Sequence, residues 1–166
     1  MKRIHIMGCA ASGKTTLAKL LSTKLKCKLI HLDDIFWKRK YDKKRDLKEC
    51  KKLMKEKIKN KKWIVEGIYT NWVEDSLKKA DLIIFLDVHL GVVSYRILKR
   101  YFSRKLNGSK VKETLKDNLR IIKLMHNWRR RPEEHPKSYR KALKPHLNKV
   151  VFLRNRKEVK KFLERL

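Results

Sequence analysis

Apolar and polar residues alternate along Lys2–Met7 (K-R-I-H-I-M) and stop at Gly8, the pattern of a short strand running into a turn. From Thr15 to Lys26 the period changes, and Leu17, Leu20, Leu21 and Leu25 recur at helical spacing. Lys28–Leu32 returns to strand character and ends on Asp33-Asp34. Leu47, Cys50, Leu53, Met54 and Ile58 mark one face of a helix over Asp46–Lys59. Trp63–Val65 is a third strand, closed by Glu66-Gly67, and Asn71–Lys79 is a short helix. Asp81–Asp87 carries an unbroken apolar run between two carboxylates, as in a strand buried on both faces of a parallel sheet. A basic helix follows over Gly91–Lys105, then the breaker Asn107-Gly108-Ser109 and a helix over Val111–Arg129. Pro132 and Pro136 punctuate the next stretch, before a fifth strand at Val150–Leu153 and a closing helix over Arg156–Leu166.

Strands alternating with helices at this spacing predict right-handed βαβ crossovers, and hence an α/β fold with a doubly wound parallel sheet. In such sheets the strand C-termini share one edge, and ligands bind there. Gly8, Asp33, Glu66 and Asp87 all fall at predicted strand C-termini, so residues scattered in sequence are expected to converge. No repeat or linker divides the 166 residues, and the expectation is a single domain over 1–166.

Composition narrows the function classes. Lys and Arg number 47 against 17 Asp and Glu, a net charge of +30, yet 42% of residues are hydrophobic, which excludes wholesale disorder. No apolar run approaches transmembrane length, and Met1–Leu17 lacks the apolar core of a signal peptide. Cys9, Cys27 and Cys50 form an odd set without metal-ligand spacing, so free thiols in a reducing cytoplasm are expected. Nor do the six histidines show metal-ligand spacing. The lysines lie between apolar residues at helical spacing and read as solvated helix faces. The same surface attracts nucleic acid without sequence preference, but no nucleic-acid-binding module is visible. No membrane partner is expected, and the oligomeric state is not legible.

Gly8-Cys9-Ala10-Ala11-Ser12-Gly13-Lys14-Thr15 fits G-x-x-x-x-G-K-[ST] without mismatch, between a predicted strand and a predicted helix. The glycines allow successive N–H groups to point into one anion-binding nest at a helix N-terminus. Lys14 is then placed on the β- and γ-phosphates of ATP, Thr15 on Mg²⁺, and Thr16 beside them. The loop begins within ten residues of the N-terminus of a short chain, and no N/T-K-x-D guanine motif follows. Both features favour a small kinase over a GTPase or motor.

Five segments carry a resemblance: Ile6–Leu17, Leu32–Trp37 (L-D-D-I-F-W), Trp63–Trp72 (W-I-V-E-G-I-Y-T-N-W), Ala80–Asp87 and Tyr95–Arg104. In these the chain resembles the adenylate-kinase-related P-loop kinases, and within them the topology modulation (FlaR-like) group. The resemblance covers the whole chain. It implies a P-loop NTPase fold of three αβα layers with five parallel strands in the order 2-3-1-4-5. It also implies that Asp33 matches the group's aspartate, that Arg96, Arg100 and Arg104 stand at a lid entrance, and that Arg154-Asn155 lies near the adenine. Two departures stand out: Cys9-Ala10-Ala11 replaces the usual Gly or Pro, and Glu66 stands where an Asp-Gly pair is common.

A kinase must also hold and deprotonate its acceptor. Asp33 is read as the acceptor-hydroxyl ligand or the ligand of a Mg²⁺ water, and Asp34 as the same or a helix N-cap. Glu66 is read as a metal-water or substrate ligand or a helix-dipole carboxylate, and Asp87 as a cap. Trp37, Tyr69 and Trp72 either wall an acceptor pocket or pack the core. Arg96, Arg100 and Arg104 recur on one helix face, suited either to a lid over the transferring phosphoryl group or to solvent. Arg129–Arg131 before Pro132 is the returning arm of an Arg-rich helical lid around 96–131. The expected catalytic set is Lys14, Asp33, Glu66 and Arg100. The expected function is Mg²⁺-dependent transfer of the ATP γ-phosphate to a small acceptor, a nucleotide or nucleoside among the candidates. The alternative is a nucleotide-gated nucleic-acid-binding protein that uses the basic surface.

Overall fold

The structure is a computed structural model that describes residues 2–38, 43–107, 114–130 and 139–166, the side chains of 128–130 excepted. Five parallel strands form one sheet: β1 (Arg3–Gly8), β2 (Lys28–His31), β3 (Trp63–Gly67), β4 (Leu82–Leu86) and β5 (Val150–Leu153). Their order is β2-β3-β1-β4-β5, as expected. The helices are α1 (Lys14–Leu25), α2 (Leu32–Phe36), α3 (Leu47–Lys57), α4 (Glu74–Lys79), α5 (Leu90–Leu106), α6 (Leu115–Arg130), α7 (Tyr139–Leu143) and α8 (Arg156–Glu164), with a 3₁₀ turn at Lys144–Lys149.

Alternation along the strands sorts the core into two layers. Ile4, Ile6, Ile64 and Ile84 pack with Leu17 and Leu21 of α1, Val93 and Ile97 of α5, and Met125 of α6. Met7, Trp63, Val65 and Ile83 face the other way, onto Ile35, Cys50, Met54, Leu77 and Leu143 from α2, α3, α4 and α7. Helices therefore cover both faces of the sheet, and all loops after the strand C-termini open on one edge.

Several expected boundaries shift. The second strand ends at His31 rather than Leu32, so Asp33 and Asp34 sit in the first turn of α2 and the residue flanking that helix is His31. Five residues are too short to show a helical period, which is why α2 was not expected. The third strand runs through Glu66 to Gly67, because pairing with β1 continues that far. The fourth helix starts at Glu74 rather than Asn71. Helix α6 starts at Leu115, and the expected residues 111–113 lie outside those described. Asp87 does not cap α5; His89 does, accepting from the Gly91 N–H at 3.2 Å. Asn155 caps α8, its side chain accepting from the Glu158 N–H at 2.9 Å. Cys9, Cys27 and Cys50 form no disulfide with one another.

Candidate active site

Residues 8–15 turn from β1 into α1 at the C-terminal edge of the sheet. Gly8 adopts φ +146°, and a Cβ there would stand 2.8 Å from the Leu86 carbonyl oxygen, so only glycine fits against β4. Gly13 (φ +104°) flanks the first residue of α1. Ala11, in the stretch where the resembling kinases carry Gly or Pro, takes φ +54°, a left-handed conformation that costs a non-glycine residue about 1–2 kcal/mol. The loop thus keeps its turn without the extra glycine. Ser12 is buried, with its hydroxyl over Gly8. Thr16 is exposed in the first turn of α1, and Cys9 and Ala10 are half-buried against the core.

The Lys14 ammonium folds over the loop and donates to the Cys9 carbonyl at 2.7 Å. Loss of hydration pulls its pKa below the usual lysine value, opposed chiefly by the Glu66 charge and also by Asp33, and reinforced by Arg100. Loop lysine, both candidate carboxylates and the exposed Arg100 therefore share one electrostatic neighbourhood. Arg96, one turn before Arg100 on α5, is used differently. It donates to the Ala11 and Ser12 carbonyls at 3.3 and 3.1 Å and braces the loop. Arg104 lies one turn beyond Arg100, half-buried. The side chains of Arg129 and Arg130, and all of Arg131, lie outside the described residues.

Glu66 shares a sheet face with Ile64, the face covered by α1. Its carboxylate is buried, and Oε1 accepts from the Thr15 hydroxyl at 3.2 Å and from His31 Nδ1 at 2.7 Å. His31 and Glu66 are direct register partners on β2 and β3, so their side chains leave the sheet together. Sequence reasoning missed His31. Its place opposite Ile30 in the strand alternation was visible, but its pairing with Glu66 depends on register.

Asp33 is exposed, and its Oδ1 accepts from the Tyr69 hydroxyl at 2.9 Å. The Tyr69 ring lies 4.8 Å from Phe36 and 5.1 Å from Trp72, and Trp37 hydrogen-bonds its hydroxyl. Burial first, and then the Asp33 charge, push the Tyr69 pKa well above the usual phenol range, so it stays a donor. Trp72 is only 2% exposed and packs in the core behind Tyr69. Asp34 is exposed beside Asp33. Its carbonyl and those of Ile35 and Trp37 accept from Arg45 at 3.0, 2.8 and 2.9 Å, while Arg45 Nε pairs with Glu49 at 3.0 Å. Arg45 was also missed, since nothing local distinguishes it from its basic neighbours.

The donor set suits Mg²⁺ carried by phosphates. A hard cation takes oxygen ligands and keeps several waters. The Thr15 hydroxyl donates its hydrogen to Glu66, which leaves an oxygen lone pair for a metal. Among the described residues no group of three or more His, Cys, Asp or Glu forms a metal cage, and a cation that arrives on a nucleotide needs none.

The family described as AAA domain matches residues 4–117. The chain is 32% identical over 131 residues to "Uncharacterized protein YqaC" of Bacillus subtilis (strain 168), covering 76% of this chain and 74% of that one. It is 27% identical over 124 residues to "Putative adenylate kinase" of Pyrococcus furiosus, covering 71% and 66%. Among solved structures, a shikimate kinase from Acinetobacter baumannii in complex with shikimate superposes with a TM-score of 0.60 at 14% identity, covering 99% of this chain and 92% of that one. That likeness shows the shared P-loop kinase fold.

Proposed function

The chain belongs to the AAA domain family and to the adenylate-kinase-related P-loop kinases, and on that premise we propose that it transfers the γ-phosphate of ATP to a hydroxyl of a small acceptor. The observation that carries this reading is the meeting of a phosphate loop with a second, separately supported carboxylate. Lys14, Thr15 and Glu66 serve the nucleotide, and Asp33 stands at the same edge, tied to Tyr69. A carboxylate held beside the phosphate loop serves a transferase and is unnecessary for a nucleic-acid-binding module, so the transferase reading is preferred to nucleotide-gated nucleic-acid binding.

Each side chain has a distinct task. Backbone N–H groups of the loop hold the phosphates at the N-terminus of α1. Lys14 exchanges the Cys9 carbonyl for phosphate oxygen. Thr15 keeps its proton on Glu66, so that its oxygen faces outward. Mg²⁺, when bound with ATP, neutralises phosphate charge. Asp33, with Oδ1 held by Tyr69, uses its second oxygen to take the proton of the acceptor hydroxyl. Arg100 supplies positive charge where negative charge develops on the transferring phosphoryl group, in the role expected of a lid around 96–131 within the single domain. Acceptors in the same chemical class as nucleosides and nucleotides fit this arrangement, as do small hydroxy acids.

The test is ADP release with Mg²⁺ and ATP over a panel of such acceptors. Lys14→Ala should lose ATP binding by calorimetry while keeping its melting temperature. Asp33→Asn should bind ATP normally and lose about 10²–10⁴-fold in transfer, the range of a general base. A folded Lys14→Ala variant with wild-type ATP affinity would reject the site. Unchanged transfer in Asp33→Asn would move the base to Glu66.

A further inference from the structure

Glu66 is a carboxylate with only 8% of its side chain exposed, and such a group is costly unless donors surround it. Two donors reach the same oxygen, Oε1, and they are unequal. His31 Nδ1 stands at 2.7 Å, whereas the Thr15 hydroxyl stands at 3.2 Å. The histidine is the tighter anchor and the threonine is the group oriented by it. An ionised carboxylate only accepts, so Nδ1 carries the hydrogen. The neutral Nδ1–H tautomer and the imidazolium both present that hydrogen, and the contact survives either charge state of the ring. The register fixes the approach, because His31 and Glu66 are paired residues of adjacent parallel strands and their Cβ atoms leave the same face.

We infer that His31 is a positioning residue for the nucleotide half of the site: by anchoring Glu66 Oε1 it orients the Thr15 hydroxyl and thereby sets the affinity for the divalent cation that accompanies ATP. The inference rests on the reading that Thr15 faces the metal–nucleotide complex. Hydrogen-bond partners of a metal ligand orient it and tune affinity, and His31 acts one bond further out, through Glu66. His31 touches neither phosphate nor acceptor in this role, so ATP without metal should not sense it. Its position at the end of β2 sets it apart from α5 and the lid, although it also flanks α2, the helix that carries Asp33.

The decisive measurement is Mn²⁺ binding to the protein with ATP, read by electron paramagnetic resonance, beside ATP binding in chelator read by calorimetry. His31→Leu should weaken Mn²⁺ in the ternary complex by about 10-fold, the low end of the cost of losing a ligand's direct partner, and leave metal-free ATP affinity unchanged. His31→Asn should restore most of the Mn²⁺ affinity, because its amide nitrogen sits near the place of Nδ1. His31→Gln should not restore it, since its amide reaches further. The Asn–Gln pair carries the test even where His31→Leu melts. Wild-type Mn²⁺ affinity in a folded His31→Leu variant, or equal defects in the Asn and Gln variants, would overturn the role of the Nδ1 hydrogen alone. A wild-type protein that binds Mn²⁺ no better with ATP than without would instead overturn the nucleotide reading, and this one with it.

Discussion

His5 stands fully buried in the central strand, its Nδ1 3.0 Å from Ser76 Oγ. Ser76 gives its one hydrogen to the Val73 carbonyl at 2.6 Å, so His5 donates through Nδ1. Nε2 is left as a buried lone pair with no hydrogen-bond partner. Burial lowers the His5 pKa from 6.5 to about 3. Between these values the unfolded chain binds a proton that the folded chain refuses, so this part of the stability is full above pH 6.5 and lost as pH falls toward 3. Its slope is at most about 1.4 kcal/mol per pH unit. His5→Leu should flatten the acid limb of stability measured by denaturant titration across that window. An unchanged limb would assign acid sensitivity to carboxylates such as Asp81, whose pKa is lowered by its hydrogen bonds to Arg3 and Lys2 against opposing desolvation. At this scale much was legible: Lys14 and Thr15 follow from a local motif, whereas the solitude of His5 Nε2 follows from what packs across it.

Helix α2 shows how an element too short to stabilise itself can still carry a site residue. Its five residues include Asp33 in the first turn and the buried Leu32 and Ile35. An isolated helix of this length is far below what propensity sustains. Arg45 supplies the missing support from outside, closing three carbonyls at the α2 C-terminus. Its backbone N–H also donates to the Phe36 carbonyl at 2.8 Å. Arg45→Met should keep the side-chain volume and lose about 1–3 kcal/mol of stability, the range for hydrogen bonds made by a charged group. Phosphotransfer should fall with it, because Asp33 loses its platform, while ATP affinity stays. Wild-type stability and transfer in this variant would show that Leu32 and Ile35 alone hold α2. Neither α2 nor this clasp was legible, since a helical period needs more than one turn and the clasp spans a loop.

Across the whole molecule a charge of +30 opposes compaction. Carboxylates number 17 against 47 Lys and Arg, and the ion pairs among the described residues are mostly exposed, such as Lys78 with Glu74 at 2.7 Å and Lys38 with Glu49 at 3.0 Å. Exposed pairs contribute little, so repulsion among lysines is expected to dominate. Raising ionic strength from about 0.05 to 0.5 M should therefore raise the melting temperature as screening shortens. Over the same range, DNA binding should fall steeply and stay indifferent to Mg²⁺ with ATP. A melting temperature that drops with salt would mean that pairs such as Arg3 with Asp81 at 2.6 Å outweigh the repulsion. Among the described residues no helix is long and apolar enough to cross a membrane.

Hydrophobic period and one glycine-lysine motif were enough to determine the α/β class, the parallel sheet and the phosphate loop, because each is written in neighbouring residues. Gly8, Glu66 and Asp33 could be placed at strand ends for the same reason, although Asp33 proved to be helical. Only the tertiary structure decided what those residues touch. Thr15 meets Glu66 across 51 residues, His31 meets Glu66 across 35, and Tyr69 meets Asp33 across 36. Such contacts depend on which strand lies beside which and in what register. A one-residue slip would turn Glu66 from the α1 face to the other layer of the core, and periodicity within a single strand does not record its partner.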